Sequence, residues 1–231
     1  YYWEDNIGKM TIWRSDTNEQ NFVRKLSYPY EGKIHPGWRP FAYGGTIVYG
    51  EYYIGRTDEL CRIKLSRDYG ETWETIYTAP VSASGKVWHF HDVTYDPYRS
   101  RIWVINGDYG ENANVRYSDD FGKTWFELWE EGTSPVQFTT VHPMPDKVLF
   151  GTDSPLLRGM YVYKEGASSG KYTLEPLKIW TETPQLGNAT YRGNHFWNAG
   201  AVYFISVEQI NANDQGYYVI WETKDGHNLY R

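Results

Sequence analysis

Several features that would point to familiar classes of protein are scarce in this sequence of 231 residues. A single cysteine, Cys61, cannot form an internal disulfide, and its place in a strand-like run predicts a buried, inert thiol. No apolar run approaches the ~18 residues that a membrane-spanning helix needs, so we expect no membrane span. Basic residues are not in excess, since the net charge is −6, and this argues against a nucleic-acid partner.

Signals for helices are nearly absent as well, whereas residues typical of strands and turns are abundant. Aromatic residues make up 18% of the chain, with 22 Tyr and 11 Trp, and 22 Gly suit tight turns. The composition therefore predicts an all-β protein of many short strands. Its length suits a single domain over residues 1–231. The chain begins at Tyr1 with neither an initiator Met nor a signal peptide, which is typical of a mature domain or one excised from a longer chain.

Eight residues that occur twice organise the rest of the chain. Residues 118–125 read SDDFGKTW, and residues 66–73, fifty-two positions earlier, read SRDYGETW. Both follow the pattern Ser-x-Asp-x-Gly-x-Thr-Trp, and each lies between two strand-like runs. Gly supplies a positive φ, while Ser and Asp side chains accept hydrogen bonds from backbone groups of a turn. The pattern predicts a β-hairpin turn that is covered by the Trp.

This octet resembles the Asp box, or BNR repeat, of the sialidase-type propellers, and two full matches make the resemblance specific. The resemblance implies a β-propeller of four-stranded antiparallel blades. In that family the box lies on the outer rim of a blade, away from the ligand site. It therefore assigns structural roles to the octet residues Ser66, Asp68, Gly70, Trp73, Ser118, Asp120, Gly122 and Trp125.

Three weaker copies follow the same spacing. Residues 15–22 keep the first Ser and the last aromatic, residues 223–230 keep a hydroxyl, an Asp and the last aromatic, and a Gly-rich turn follows the run 160–163. A repeat of about fifty residues with four strands is typical of propeller blades. Five slots predict about five blades. The ring is either closed, with both chain ends in one blade, or part of a six- or seven-bladed propeller.

Strand-like runs separated by turn residues predict the blade strands. The third blade has the runs 88–95, 101–105, 114–117 and 125–129, and the fourth has 136–141, 147–150, 160–163 and 172–179. Near the N-terminus, the runs 9–14 and 21–27 predict a third and a fourth strand.

The ligand site of a propeller lies at the mouth of its channel, where innermost strands begin and the next strands end. Polar and aromatic residues alternate in the innermost runs, which supply Arg39, His89, His91, His195 and Trp197. The runs that follow end in acids, at Glu51, Asp108, Asp153 and Glu208. Adjacent carboxylates suit the acid and base pair of a glycosidase, and aromatic rings suit sugars. The alternative is that the acids accept hydrogen bonds from loop backbone amides.

His89 and His91 are weak candidates for a metal site. Alternate residues of a strand face the same side, so two imidazoles can share a divalent metal, with His195 or Asp108 as further ligands. The alternative is that these histidines hydrogen-bond to neighbouring loops or to a bound sugar. We assign no metal firmly and expect no other cofactor.

The resemblance does not extend to the catalytic residues of sialidases. Those enzymes grip a carboxylate with three arginines and carry a Phe/Tyr-Arg-Ile-Pro motif before the boxes, whereas this chain has Trp38-Arg39-Pro40. Arg39 is able to pair with an acidic ligand, but no motif places a second or third arginine. No catalytic residue is therefore assigned.

Three functions fit the sequence. The first is an extracellular or surface-exposed propeller that binds a glycan or glycoconjugate, as an adhesin or as a module of a larger surface or viral protein. The second is a glycoside hydrolase that acts through carboxylates at the channel mouth. The third is a structural or protein-binding propeller. An anionic glycan would need a local basic pocket, because the chain as a whole is acidic.

Overall fold

The structure is a computed structural model, and the chain forms two compact units, Tyr1–Gly132 and Thr133–Arg231. It describes residues 2–6, 9–15, 21–29, 34–36, 40–53, 59–81, 89–107, 113–129, 136–152, 159–166, 172–179, 196–198, 201–208, 217–225 and 228. All regular elements in these ranges are β-strands. None of the described residues forms a helix that is long and apolar enough to cross a membrane.

The first unit contains three antiparallel sheets. Sheet 1 has the order β1-β2-β3, with strands Tyr2–Asn6, Lys9–Ser15 and Phe22–Pro29. In sheet 2, β4 and β5 both pair with β6, and β7 and β8 follow; the strands are Ile34–Pro36, Phe41–Tyr43, Thr46–Tyr53, Glu59–Ser66 and Glu74–Val81. Sheet 3 has the order β9-β10-β11-β12, with strands Phe90–Asp96, Arg101–Asn106, Asn114–Ser118 and Phe126–Glu127.

The second unit contains two antiparallel sheets. Sheet 4 has the order β13-β14-β15-β16, with strands Phe138–Pro143, Val148–Thr152, Gly159–Glu165 and Tyr172–Ile179. Sheet 5 has the order β17-β18-β19, with strands Phe196–Asn198, Ala201–Glu208 and Tyr217–Thr223.

The predicted all-β class and the four-stranded antiparallel sheets are confirmed. The predicted strand 125–129 is too long, because β12 contains only Phe126–Glu127. Trp125 belongs instead to the octet turn, where its Nε1 donates to the Gly122 carbonyl. Strands near the two chain ends lie in separate sheets of three strands each. The closed ring and the single domain over residues 1–231 stay predictions.

The second octet forms a closed hydrogen-bonded turn between β11 and β12. Ser118 Oγ donates to Asp120 Oδ1 at 2.8 Å and accepts from the Gly122 amide at 2.7 Å. The Asp120 carboxylate accepts from the Thr124 amide at 2.9 Å and from its hydroxyl at 2.6 Å. Trp125 Nε1 donates to the Gly122 carbonyl at 3.1 Å, and Gly122 has a φ of 89°. Ser118, Asp120 and Trp125 therefore hydrogen-bond to backbone groups of the turn that the strands leave unpaired, and Gly122 supplies the positive φ.

The first octet repeats this geometry between β7 and β8. Ser66 Oγ accepts from the Gly70 amide at 2.8 Å, and Asp68 accepts from the Thr72 amide and hydroxyl at 2.9 and 2.6 Å. Trp73 Nε1 donates to the Gly70 carbonyl at 3.1 Å. The two copies thus fold alike although their variable positions differ in charge and size.

The weaker copy at residues 223–230 retains part of the same network at the end of β19. Thr223 Oγ1 donates to Asp225 Oδ1 at 3.3 Å, and Asp225 accepts from the Asn228 amide at 2.9 Å and from its side-chain amide at 2.7 Å. Asn228 therefore replaces both donors that Thr supplies in the full octets. In the other two weaker copies, residues 16–20 and 167–170 lie outside the described residues.

The octets of the first unit pack against the sheet that precedes them. A Cβ on Gly122 would lie 2.6 Å from Ile76 Cβ on β8, and one on Gly70 would lie 3.1 Å from Lys25 Cβ on β3. Trp125 packs edge-on against Tyr77 of β8, with ring centroids 5.3 Å apart. The turns thus fill the space between neighbouring sheets.

The core of the first unit lies between sheets 2 and 3. Strands β6, β7, β9 and β10 contribute fully buried residues to it, among them Val48, Cys61, Leu65, Phe90, Ile102 and Val104. Cys61 is a buried free thiol. In the second unit, β13, β14 and β15 bury Val141, Leu149, Phe150 and Val162. Apolar burial on both faces of these strands is the main source of stability.

Gly122→Ala should lower the free energy of unfolding by about 3 kcal/mol. The new Cβ would meet Ile76 at 2.6 Å, which adds overpacking, ~1–3 kcal/mol, to the ~1–2 kcal/mol cost of a side chain at positive φ. Gly44→Ala is the matched control, because Gly44 has a φ of 56° but nothing within 4 Å of its Cβ position. Urea unfolding of both variants checks this, and equal losses would contradict the packing argument.

Asp120→Asn should destabilise the fold in a pH-dependent way. Hydrogen bonds from the Thr124 hydroxyl and amide lower the pKa of Asp120 from 3.8 to about 2. The stabilisation by the carboxylate is therefore present above its unfolded-state pKa and lost as the pH falls from about 4 to about 2. The difference in unfolding free energy between the native protein and the variant should shrink over that range. A difference that stays constant from pH 6 to pH 2 would contradict it.

Candidate functional site

The described candidate residues of the first unit are Glu51, His89 and His91, and they lie at the strand ends opposite the octet turns. β6 ends after Glu51 and Tyr52, and β9 begins just after His89. The two strands approach closely there, since a Cβ on Gly50 would lie 2.6 Å from Phe90 Cβ. Gly50 therefore permits the contact that brings the end of β6 beside the start of β9.

Three side chains meet at this point, and we call Tyr52, His89 and His91 the imidazole cluster. His89 Nε2 and His91 Nε2 are 2.8 Å apart, so one ring nitrogen donates and the other accepts. Tyr52 stacks on His89 with ring centroids 4.0 Å apart and an interplanar angle of 29°. Both histidines are only 4% exposed, whereas Tyr52 is half-buried. Tyr52 is thus the accessible ring of the cluster, and its buried side packs on His89, which is in turn hydrogen-bonded to His91.

A β-bulge places His91. Phe90 pairs with Asn106 and Asp92 pairs with Ile105, so His91 is an extra residue in β9. β13 has the same irregularity, because Phe138 pairs with Thr152 and Thr140 with Gly151. Bulges bend a strand and change the direction of its side chains, and they are frequent next to functional sites.

Sheet 2 also departs from regular pairing where its first two strands, β4 and β5, both pair with β6. Pro36 pairs with Glu51, and Phe41 pairs with Val48. Four residues, 37–40, separate Pro36 from Phe41, whereas only Tyr49 and Gly50 separate Val48 from Glu51, so the segment between β4 and β5 has two extra residues. Arg39 falls in this interval and lies outside the described residues.

Glu51 is a buried hydrogen-bond acceptor. Its side chain is 1% exposed, and its Oε2 accepts from the Arg62 amide at 2.9 Å and from Arg62 Nη1 at 3.4 Å. Burial raises the pKa of Glu51, and the charge and hydrogen bonds of Arg62 oppose that rise. Both described contacts join Glu51 to the adjacent strand β7, so this acid accepts from a backbone amide of a strand and not of a loop, as the alternative had expected.

A second polar network, which the sequence did not single out, lies at the same end of sheet 3. Arg116 Nη1 donates to Asn106 Oδ1 at 2.9 Å, and Arg116 Nε donates to Glu127 Oε1 at 2.6 Å. Asn114 Nδ2 donates to Glu127 Oε2 at 2.8 Å. The network joins β10, β11 and β12 and fixes the end of β10, two residues before Asp108.

The other candidates are not brought together by the described structure. Arg39, Asp108, Asp153 and His195 lie outside the described residues. Trp197 lies in β17, and nothing is described of its side chain. Glu208 ends β18, and nothing is described of its side chain. Of the nine candidates, His89 and His91 are in contact, and Glu51 is next to Tyr52 in β6. Tyr52 itself was missed because it follows the acid that ends the predicted strand.

The described residues contain no group of three or more His, Cys, Asp or Glu side chains suited to a metal ion. Two imidazoles that bind one tetrahedral metal at ~2.0–2.1 Å would have their nitrogens roughly 3.3 Å apart. The Nε2 atoms of His89 and His91 are closer, at 2.8 Å, which is the distance of a hydrogen bond. A divalent metal at this pair stays a prediction, and it would require the two rings to separate.

Neither protein-family models nor curated protein sequences match the chain. Solved structures do match it in fold. A GH74 xyloglucanase from Xanthomonas campestris has a TM-score of 0.56 at 13% identity over 96% of this chain and 35% of its own. TolB from Acinetobacter baumannii has a TM-score of 0.57 at 15% identity over 95% of this chain and 48% of its own. An oligogalacturonate lyase in complex with manganese has a TM-score of 0.56 at 10% identity over 97% of this chain and 61% of its own.

These similarities establish the fold and nothing finer, because the identities are so low. The structural neighbours are β-propellers, so the five antiparallel sheets are propeller blades and the predicted β-propeller is confirmed. The chain spans about a third of the xyloglucanase and about half of TolB.

Glu51→Gln should become relatively more stable than the native protein as the pH rises. Burial raises the pKa of Glu51 above 4.5 in the folded state, so its contribution to stability is full below pH 4.5 and is lost as the pH rises through the folded-state value. Gln keeps an acceptor for the Arg62 amide without a charge to desolvate. The measurement is urea unfolding at pH 4 to 8, with the exposed Glu165→Gln as the control for loss of one charge. An unfolding free energy of the variant that falls relative to that of the native protein as the pH rises would contradict the prediction.

Proposed function

We propose that the protein binds a glycan at the end of β6 and the start of β9, with the Tyr52 ring as the platform on which a sugar stacks. The observation that carries this proposal is the imidazole cluster, in which a half-buried Tyr stacks at 4.0 Å on a buried, hydrogen-bonded histidine pair. Aromatic rings present an apolar face together with a polar edge, which suits the apolar faces and hydroxyl groups of a pyranose.

The rigidity of the cluster supports binding. His89 and His91 hold each other by the Nε2–Nε2 contact, and the bulge at His91 is set by the pairing of Phe90 and Asp92 with β10. A ring that is already fixed loses little entropy when a ligand binds, so more of the contact energy appears as affinity. The end of β6 is held in turn by Glu51 and Arg62.

The position of the Glu51 carboxylate argues against this residue as the acid or base of a glycoside hydrolase, and therefore favours the glycan-binding function. A general acid or base must come within hydrogen-bonding distance of the atom that gains or loses the proton. The Glu51 carboxylate is 1% exposed and is bound to the adjacent strand, so it is directed into the protein. The hydrolase alternative then depends on Asp108 or Asp153, as in the acid and base pair of glycosidases.

We further propose that the chain is an Asp-box propeller of the sialidase type and a module of a larger extracellular or surface protein. The support for the first part is the repeated octet network, which two full copies share bond for bond. The support for the second is that the chain spans only part of the length of its structural neighbours.

Tyr52→Ala should weaken glycan binding at least tenfold on a printed glycan array, because it removes the platform. A tenfold loss corresponds to about 1.4 kcal/mol. Tyr52→Phe keeps the ring and should retain most of the affinity. Phe126→Ala, which removes an aromatic side chain that is 50% exposed on β12, is the control for general loss of surface aromatics.

The array also separates the three functions. Saturable binding that survives Tyr52→Ala unchanged would contradict the proposed platform. Release of shorter sugars from a bound glycan would favour the hydrolase, and Asp108→Asn should then abolish it. An array without signal would overturn glycan binding and leave the structural or protein-binding function.

A further inference from the structure

Exposed tyrosines gather at the octet end of the first unit, far along the strands from the imidazole cluster. Tyr43 is 58% exposed, Tyr69 is 54% exposed and Tyr98 is 43% exposed. Tyr43 ends β5, Tyr98 lies in the turn between β9 and β10, and Tyr69 is the fourth residue of the first octet. We call these three residues the tyrosine patch.

The three tyrosines are neighbours. The Tyr69 amide donates to the Gly45 carbonyl at 2.9 Å, and the Tyr69 ring would lie 3.2 Å from a Cβ on Gly45. This contact places the Tyr69 ring over the turn that follows Tyr43. Strand β5 contacts strand β9, so Tyr43 at the end of β5 and Tyr98 in the turn that follows β9 lie at the same end of adjoining strands. In agreement with this placement, burial and then the Tyr43 phenol raise the pKa of Tyr98. The patch therefore extends from sheet 2 to sheet 3.

The backbone holds Tyr69 in an unfavourable conformation. Its φ is 61°, in the left-handed region, where a bulky side chain costs ~1–2 kcal/mol. Phe121 is the equivalent residue of the second octet and has a φ of 57°. The Phe121 ring is half-buried, stacks on Tyr95 at 5.8 Å and lies under the Arg67 guanidinium. The Tyr69 ring likewise has the Arg14 guanidinium 6.0 Å from its centroid, but Tyr69 is 54% exposed, whereas Phe121 also packs on the Tyr95 ring.

Charges around the patch are paired. Arg14 bonds to the Tyr69 carbonyl at 2.9 Å and pairs with Glu71 at 3.2 Å. Arg67 pairs with Glu74 at 3.0 Å, and Arg99 pairs with Asp96 at 2.9 Å. A surface of tyrosine rings among balanced charges favours an uncharged, hydroxyl-rich ligand over a strongly acidic or basic one.

The size of the patch favours a small ligand over a protein. Three tyrosine side chains that are about half exposed offer roughly 300 Å² of aromatic surface. A stable protein interface needs about 800 Å² from each partner. The aromatic surface matches a few sugar rings instead, and the fixed Tyr69 backbone limits the entropy lost on binding.

We infer that Tyr43, Tyr69 and Tyr98 form a second carbohydrate site, which binds the pyranose rings of a neutral glycan by stacking. This site does not depend on the imidazole cluster, because it lies at the opposite ends of the strands. With both sites occupied, one copy of the chain would join two glycans or two segments of one.

Fluorine NMR of protein labelled with 3-fluorotyrosine tests this site residue by residue. Tyr43→Phe, Tyr52→Phe, Tyr69→Phe and Tyr98→Phe assign the relevant signals. The probe is a panel of soluble neutral hexasaccharides of the cello, xylo, malto and galacto series. We expect at least one of them to shift the signals of Tyr69 and Tyr98 saturably, and to do so equally in Tyr52→Ala.

Tyr69→Asn supplies the matched loss of function. Asn adopts positive φ more readily than Tyr, so the variant should be as stable as the native protein or more so while it loses the ring. Sugar affinity read at the Tyr98 signal should fall at least tenfold, and Phe126→Ala should leave it unchanged.

The results distinguish the two sites. Movement of the Tyr69 and Tyr98 signals without the Tyr52 signal would support the tyrosine patch and count against the proposed platform. A panel that moves neither Tyr69 nor Tyr98, or shifts at these residues that disappear in Tyr52→Ala, would overturn the second site.

Discussion

The hydrogen bonds of one serine and one aspartate in each octet turn support much of the structure. Ser118 Oγ and the Asp120 carboxylate together bind the backbone amides of Gly122 and Thr124, so the turn is closed without help from the strands. Closing it directs Trp125 and Gly122 toward β8 of the preceding sheet. The spacing of neighbouring sheets in the first unit therefore follows from a local turn, and apolar burial between those sheets follows from the spacing.

The octet turns join neighbouring sheets at one end of the strands, and the proposed ligand site lies at the other end. The octet turns and the close contact at Gly50 fix β6 and β9 along their length. At their far ends the innermost strands depart from regular pairing, in β9 at His91 and in β13 at Thr139. A regular strand alternates its side chains strictly, whereas an extra residue changes where they point. The irregular pairing thus coincides with the proposed ligand site, whereas the octet turns that join neighbouring sheets lie at the other end of the strands.

The octet predicts the fold from the sequence alone, whereas the sequence predicts only part of the proposed site. The pattern from Ser118 to Trp125 predicted a turn, the spacing of its copies predicted blades, and propeller neighbours confirm this. The placement of His89 and His91 on one strand anticipated that they would be close. The stacking of Tyr52 on His89 depends on packing between β6 and β9, and the bulge at His91 depends on pairing with β10. Neither has a local sequence signal, because both are set by residues more than ten positions away.

The direction in which the octets pack has a consequence for how the blades come apart. Gly70 lies against β3 and Gly122 against β8, so each turn rests on the sheet that comes before it in the chain. In the second unit, Lys147 of sheet 4 likewise donates to the Asp225 carbonyl in the turn that follows β19. Neighbour contacts of this kind make stability a sum of terms for each repeat and each junction. In these three described junctions, two in the first unit and one in the second, the contact is made by the later turn, so loss of that turn should loosen two sheets. Within each unit the contacts therefore have a polarity that identical, symmetric joints would lack.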